Sequence, residues 1–125
     1  MTTWITICDT CKRPDWDATT GGPTDGERLA EQIESLTQGQ SPIKTRRVSC
    51  MMGCKRACNI AIQGPDKLAY VLGEFDPNAP DAAPAIVQYA TAYDQSPTGQ
   101  VPFREWPQGV KGHFTSRTTP LPKSE

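Results

Sequence analysis

Every thiol in this chain falls in one of two short stretches. Cys8 and Cys11 lie in "TICDTCKRP", and Cys50, Cys54 and Cys58 lie in "VSCMMGCKRACN". Five is an odd number, so complete internal disulfide pairing is impossible. The amino terminus "MTTWITICDT" lacks the basic and long apolar regions of a secretory signal. No apolar run approaches the ~20 residues that a membrane helix needs. The expected compartment is therefore the reducing cytoplasm, where clustered thiols are metal ligands more often than disulfides.

Length and charge narrow the partners. A chain of 125 residues is expected to form one domain with a modest core that needs no disulfide staples. The net charge of -1 supplies no basic field, so neither nucleic acid nor an anionic membrane is expected as a partner.

The segment "TWITIC" alternates around Trp4, Ile5 and Ile7 and predicts a short strand ending near Cys8. After a turn-rich loop, Thr24 and Glu27 have capping-box spacing, and Leu29, Ala30, Ile33 and Leu36 form an apolar helical stripe that Gly39 and Pro42 end. "IKTRRVSC" predicts a second strand, which also ends at a cysteine. "CNIAIQ" and "KLAYVLGEF" flank "GPD" as a hairpin. Asp81 is a candidate N-cap, Pro84 is tolerable in a first helical turn, and Ile86, Tyr89, Ala90 and Tyr93 make a second helical face. Residues 1–107 are expected to form the metal-binding domain, and 108–125 an irregular tail.

This order predicts a small α/β domain with a central mixed sheet, parallel first two strands, a β-hairpin and two main helices. Strands joined by a crossover containing a helix lie parallel, and ligands gather at the carboxyl edge of such strands. Cys8 and Cys11 should therefore meet Cys50 and Cys54 in space, although 38 residues (12–49) lie between the two groups. A four-sulfur shell selects zinc or an iron–sulfur cluster over hard cations. Spacing alone leaves those two open, with redox-active thiols as a third reading.

The passage "VSCMMGCKRACNIAIQGPDKLAYVLGEF" resembles the second half of the thioredoxin-like [2Fe–2S] ferredoxins. Cys50 and Cys54 match that family's strand-terminal ligand pair, and Cys8 its first ligand. The whole pattern is closer still to an uncharacterised bacterial family of predicted metal-binding proteins. That family has C-x2-C near the start, C-x3-C-x3-C in the middle and a late segment like "VPFREWP". The resemblance implies a thioredoxin-like fold and a [2Fe–2S] cluster on Cys8, Cys11, Cys50 and Cys54, with zinc as the alternative. It also implies one-electron exchange with a protein redox partner; a homodimer is an open arrangement. Cys58 stands where those ferredoxins tend to have glycine. It is read as a buried small side chain, with a place as alternative fourth ligand. Association of the uncharacterised family with cobalamin-related genes supports a rival role as a metal-binding accessory protein.

Several other residues carry expectations. Lys12, Arg13, Lys55 and Arg56, with Arg46 and Arg47, flank the cysteines and could offset cluster charge or form a solvated face. Met51, Met52 and Gly53 are read as a cover with a tight turn. His113 is the only histidine and lies in weakly patterned sequence, and Trp106 is read as a packing anchor. Asp15 and Asp17 lack a base partner, and no phosphate loop, nucleophile elbow or dinucleotide fingerprint is present, so no enzyme is expected. A C-x-x-C redox role is disfavoured because Pro14 and Asp15 interrupt the helix that "CDTC" would begin.

Overall fold

A computed structural model describes residues 2–14, 16, 22–39, 42–49 and 56–120 of the chain. Strand β1 (Thr3–Cys8) leads to helix α1 (Asp25–Thr37) and strand β2 (Ile43–Val48). Strands β3 (Ile60–Gln63) and β4 (Ala69–Leu72) form the hairpin, followed by helix α2 (Ala82–Gln95) and strand β5 (Phe114–Thr118). Short 3-10 turns at Phe103–Glu105 and Gln108–Val110 join α2 to β5. The sheet order is β2-β1-β3-β4-β5. β1 and β2 are parallel with Cys8 opposite Val48, and every other neighbouring pair is antiparallel. This is the mixed α/β arrangement expected from the sequence.

Local chemistry accounts for both helices. At α1 the Thr24 side chain accepts from the Glu27 amide at 3.1 Å, and the Glu27 carboxylate accepts from the Thr24 amide at 3.0 Å. This reciprocal cap satisfies amides that have no partner within the helix. Leu29, Ala30 and Ile33 are buried as the stripe requires, and Gly39 follows the helix at φ 85°, a conformation that suits glycine. Leu36 departs from the stripe and is 43% exposed, whereas Thr37 in the same last turn is buried. In α2, Ile86, Tyr89, Ala90 and Tyr93 are all buried. Asp81 precedes α2, but its side chain makes no capping hydrogen bond. Backbone turns lead into that helix instead, with Ala79 N donating to Asp76 O and Ala82 N to Ala79 O.

Both helices pack on each other and on β1 and β2. Successive strand residues face opposite sides. Thr3, which donates to Asp94 of α2 at 2.7 Å, thus shares the helix side with the fully buried Ile5 and Ile7. Trp4 lies on the other side beneath Lys44 and Arg46.

The expectation of an irregular segment after residue 107 does not hold for residues 114–118, which form β5 against β4. An edge strand needs only one row of backbone partners, and "FTSRT" takes them from β4 without apolar alternation. Phe114 anchors it, with its ring 5.6 Å from that of Tyr70, 5.4 Å from Tyr89 and 4.5 Å from Trp106. Trp106 packs in this cluster and donates its indole N–H to Val101 O at 2.8 Å. Residues 121–125 lie outside the described residues.

Candidate metal centre

The carboxyl end of β1 brings three of the five thiols together. Cys8 is 2% exposed, Cys11 3% and Cys58 0%, and none of the three is in a disulfide. The Cys8 amide donates to Asn59 O at 3.1 Å, which fixes the end of β1 beside the start of β3. Its sulfur lies 3.6 Å from the Thr10 hydroxyl and 4.0 Å from Ser49 O, beyond the end of β2. The Thr10 hydroxyl also donates to Ser49 O. Asn59 Nδ2 approaches the Cys11 sulfur at 3.5 Å. Cys58 exchanges backbone hydrogen bonds with Phe75, at 3.3 and 3.4 Å.

Burial is the main electrostatic influence on Cys11 and Cys58. It pushes Cys11 up to about 11, helped by the neighbouring Cys8 thiol and opposed by Asn59. Burial likewise pushes Cys58 up to about 12, with the negative charge potential of Cys11 and Asp25 adding and Arg13 opposing. A desolvated thiol resists ionisation, and a bound metal cation reverses that preference outright. Cys50 and Cys54 lie outside the described residues, as do Met51, Met52, Gly53, Lys55, Asp15 and Asp17.

The first turn of α1 supports this edge. Asp25 is 3% exposed; its carboxylate accepts from the Arg13 amide at 2.7 Å and pairs with Arg28 at 2.6 Å. Gly26 N donates to Cys11 O at 3.0 Å, and a Cβ at Gly26 would overlap the Cys8 carbonyl oxygen. Thr24 also donates through its hydroxyl to Asp9 O. The helix start and the Cys8–Cys11 loop are therefore one packed unit. Sequence reading passed over Asp25, Gly26 and Asn59 as site residues. The available signal was Gly26, since glycine in a helical turn is unfavourable unless something packs closely against it.

The flanking cations among the described residues do not form a uniform solvated rim. Arg47 makes two contacts of 2.8 Å to Glu34 of α1, and Arg46 donates to the Thr6 hydroxyl at 2.7 Å. Arg56 pairs with Glu74 at 3.3 Å, whereas Lys12 is exposed over the Trp16 ring. Arg13 turns inward, with Nη1 donating to Ala57 O, Glu74 O and Phe75 O. His113 stacks on Phe75 with ring centroids 4.3 Å apart, and its Nδ1 lies 2.8 Å from Gly73 O.

A family model described as protein of unknown function (DUF1636) matches residues 5–120. The chain belongs to the DUF1636 family. A comparison with curated proteins returned no match. Among solved structures, a thioredoxin-like [2Fe–2S] ferredoxin from Aquifex aeolicus is similar at a TM-score of 0.58 and 12% identity. That likeness covers 95% of this chain and 94% of the ferredoxin. The DUF1636 chain thus has a thioredoxin-like ferredoxin fold, as the sequence implied.

The donor chemistry of this DUF1636 site suits a sulfur-bound metal. The buried Cys8 thiol lies at the end of the neighbouring parallel strand, and an amide donor already approaches the Cys11 sulfur, as hydrogen-bond donors do around thiolate centres. Among the described residues, no three His, Cys, Asp or Glu side chains are arranged to hold a metal ion. Cys8, Cys11 and Cys58 by themselves are therefore not a ligand set.

Proposed function

We propose that this chain holds a [2Fe–2S] cluster on Cys8, Cys11, Cys50 and Cys54 and exchanges single electrons with a protein partner. The observation that carries this reading is the placement of Cys8 beside Val48 and Ser49, at the carboxyl edge of two parallel strands. Consecutive Cα atoms are 3.80 Å apart, so covalent continuity ties Cys50 to Ser49 and hence to the Cys8 edge. Membership in DUF1636 and the fold shared with a protein named a [2Fe–2S] ferredoxin add support.

When bound, such a cluster accepts and releases one electron at a time. The residues of the chain hold and shield it. Cys8 and Cys11 supply sulfur from a loop fixed by Asp25 and Gly26. Asn59 offers a hydrogen bond to Cys11 sulfur, an interaction that tunes reduction potential. Burial of Cys8 and Cys11 excludes water from the inner side of the site.

Anaerobic purification with iron, sulfide and zinc assays tests the reading. We expect a red-brown protein with about two irons and two sulfides per chain, and a paramagnetic signal after one-electron reduction. A colourless protein holding one zinc and no sulfide would replace electron transfer with a metal-binding accessory role.

A further inference from the structure

Local charges near the thiols nearly all have partners. Asp25 is matched by Arg28 at 2.6 Å, and Arg56 by Glu74 at 3.3 Å. Lys12 is exposed, so solvent and salt screen it. Arg13 is different. Its Nη1 donates to the carbonyls of Ala57, Glu74 and Phe75 at 3.3, 3.2 and 3.1 Å. Among the described residues its Nε is buried without a hydrogen-bond partner, and no carboxylate pairs with its guanidinium. These bonds hold a full positive charge between the Cys11 loop, which carries Arg13, and the peptide preceding Cys58.

A partly buried cation bonded only to neutral carbonyls is costly unless a negative charge lies near it, and the Asp25 carboxylate beside the Arg13 amide is already paired with Arg28. Four thiolates around a zinc ion or an oxidised [2Fe–2S] core leave that negative charge. We propose that Arg13 is the built-in counter-charge of the thiolate site. The inference rests on the reading of the cysteines as a metal centre, and not on the choice between cluster and zinc.

The test is an anaerobic cobalt(II) titration of the metal-free full chain, followed by the sulfur-to-cobalt charge-transfer band. Lys12→Gln should bind within about twofold of the unaltered chain, since that cation is screened. Arg13→Gln should weaken binding about tenfold, because a partly buried charge near the thiolates is lost. Arg13→Lys keeps the charge without the guanidinium fork and should stay within about threefold. In cluster-loaded protein, Arg13→Gln should disfavour the reduced state about tenfold, or ~59 mV for a one-electron couple. If the chain takes up cobalt but no cluster, the electron-transfer reading fails and the cobalt series still decides the role of Arg13.

Equal losses in Arg13→Lys and Arg13→Gln would overturn the proposal, since the fork and not the charge would then matter. An unchanged Arg13→Gln, or a loss as large in Lys12→Gln, would also overturn it. Failure of the unaltered chain to bind cobalt would remove the metal centre and this proposal together. Should Arg13→Gln fail to fold by circular dichroism, Arg13→Lys decides alone: retained affinity supports the counter-charge and a tenfold loss refutes it.

Discussion

The Arg13 amide donates to the Asp25 carboxylate at 2.7 Å, joining the loop after Cys11 to the first turn of α1. The same carboxylate pairs with Arg28, so one buried side chain secures a loop amide and a helix cation. Asp25→Ala should cost about 2–3 kcal/mol, because a buried amide and a half-exposed guanidinium would lose their acceptor. Asp25→Asn keeps a neutral acceptor and should cost less. Urea denaturation of metal-free protein measures both. A change below about 0.5 kcal/mol for Asp25→Ala would show that the contact is not structural.

The ligand assignment separates the thiols. Removing Cys8, Cys11, Cys50 or Cys54 by alanine substitution should abolish the cluster spectrum, because an iron loses a thiolate. Cys58→Ala should retain it and cost only about 1 kcal/mol for the small void. Loss of the spectrum in Cys58→Ala, with retention in Cys11→Ala, would make Cys58 the fourth ligand.

Gly26→Ala should disturb the site from outside it. The added Cβ would overlap Cys8 O and come within 3.1 Å of Asp9 backbone atoms, and neither is a flexible side-chain end. Relief requires shifting α1 or the Cys8–Cys11 loop, at about 1–3 kcal/mol. We expect a lower melting temperature together with weaker cobalt binding. A melting temperature equal to that of the unaltered chain would contradict the close packing at this glycine.

The metal-free chain should lose stability in alkali. Burial raises Cys11 to about 11 and Cys58 to about 12, against an ordinary thiol value of 9.0. The folded state therefore keeps protons that the unfolded state releases. This contribution is fully present below the unfolded thiol value and declines as pH rises towards the folded values, by at most ~1.4 kcal/mol per thiol per pH unit. Urea midpoints at pH 7, 9 and 10 should fall, and fall less steeply in Cys58→Ala. Equal slopes for the two proteins would rule out Cys58 as a contributor.

Much of this framework was legible because its causes are local. Thr24 and Glu27 encode their cap through spacing alone, and the face of Ile86, Tyr89, Ala90 and Tyr93 encodes a buried helix side. The parallel pairing of β1 and β2 followed from the crossover between them. β5 was not legible, since "FTSRT" owes its strand form to the exposed backbone of β4. The inward turn of Arg13 was equally hidden. Its neighbours Lys12 and Pro14 suggest surface, while its carbonyl partners at 57, 74 and 75 are assembled only by the fold. Asn59 reaches Cys11 for the same reason, from 48 positions away.

The pairing of Cys8 with Val48 also sets a clock during synthesis. These neighbours are 40 positions apart in the chain. At about 5–20 residues per second, the ribosome makes Cys8 and Cys11 some 2–8 seconds before the strand that must lie beside them. For that interval the first two sulfurs have neither β2 nor Asn59 against them. A nascent chain halted before residue 48 therefore has no finished cradle for a metal. If the proposed site takes a metal, its loading must wait for translation of the middle of the chain.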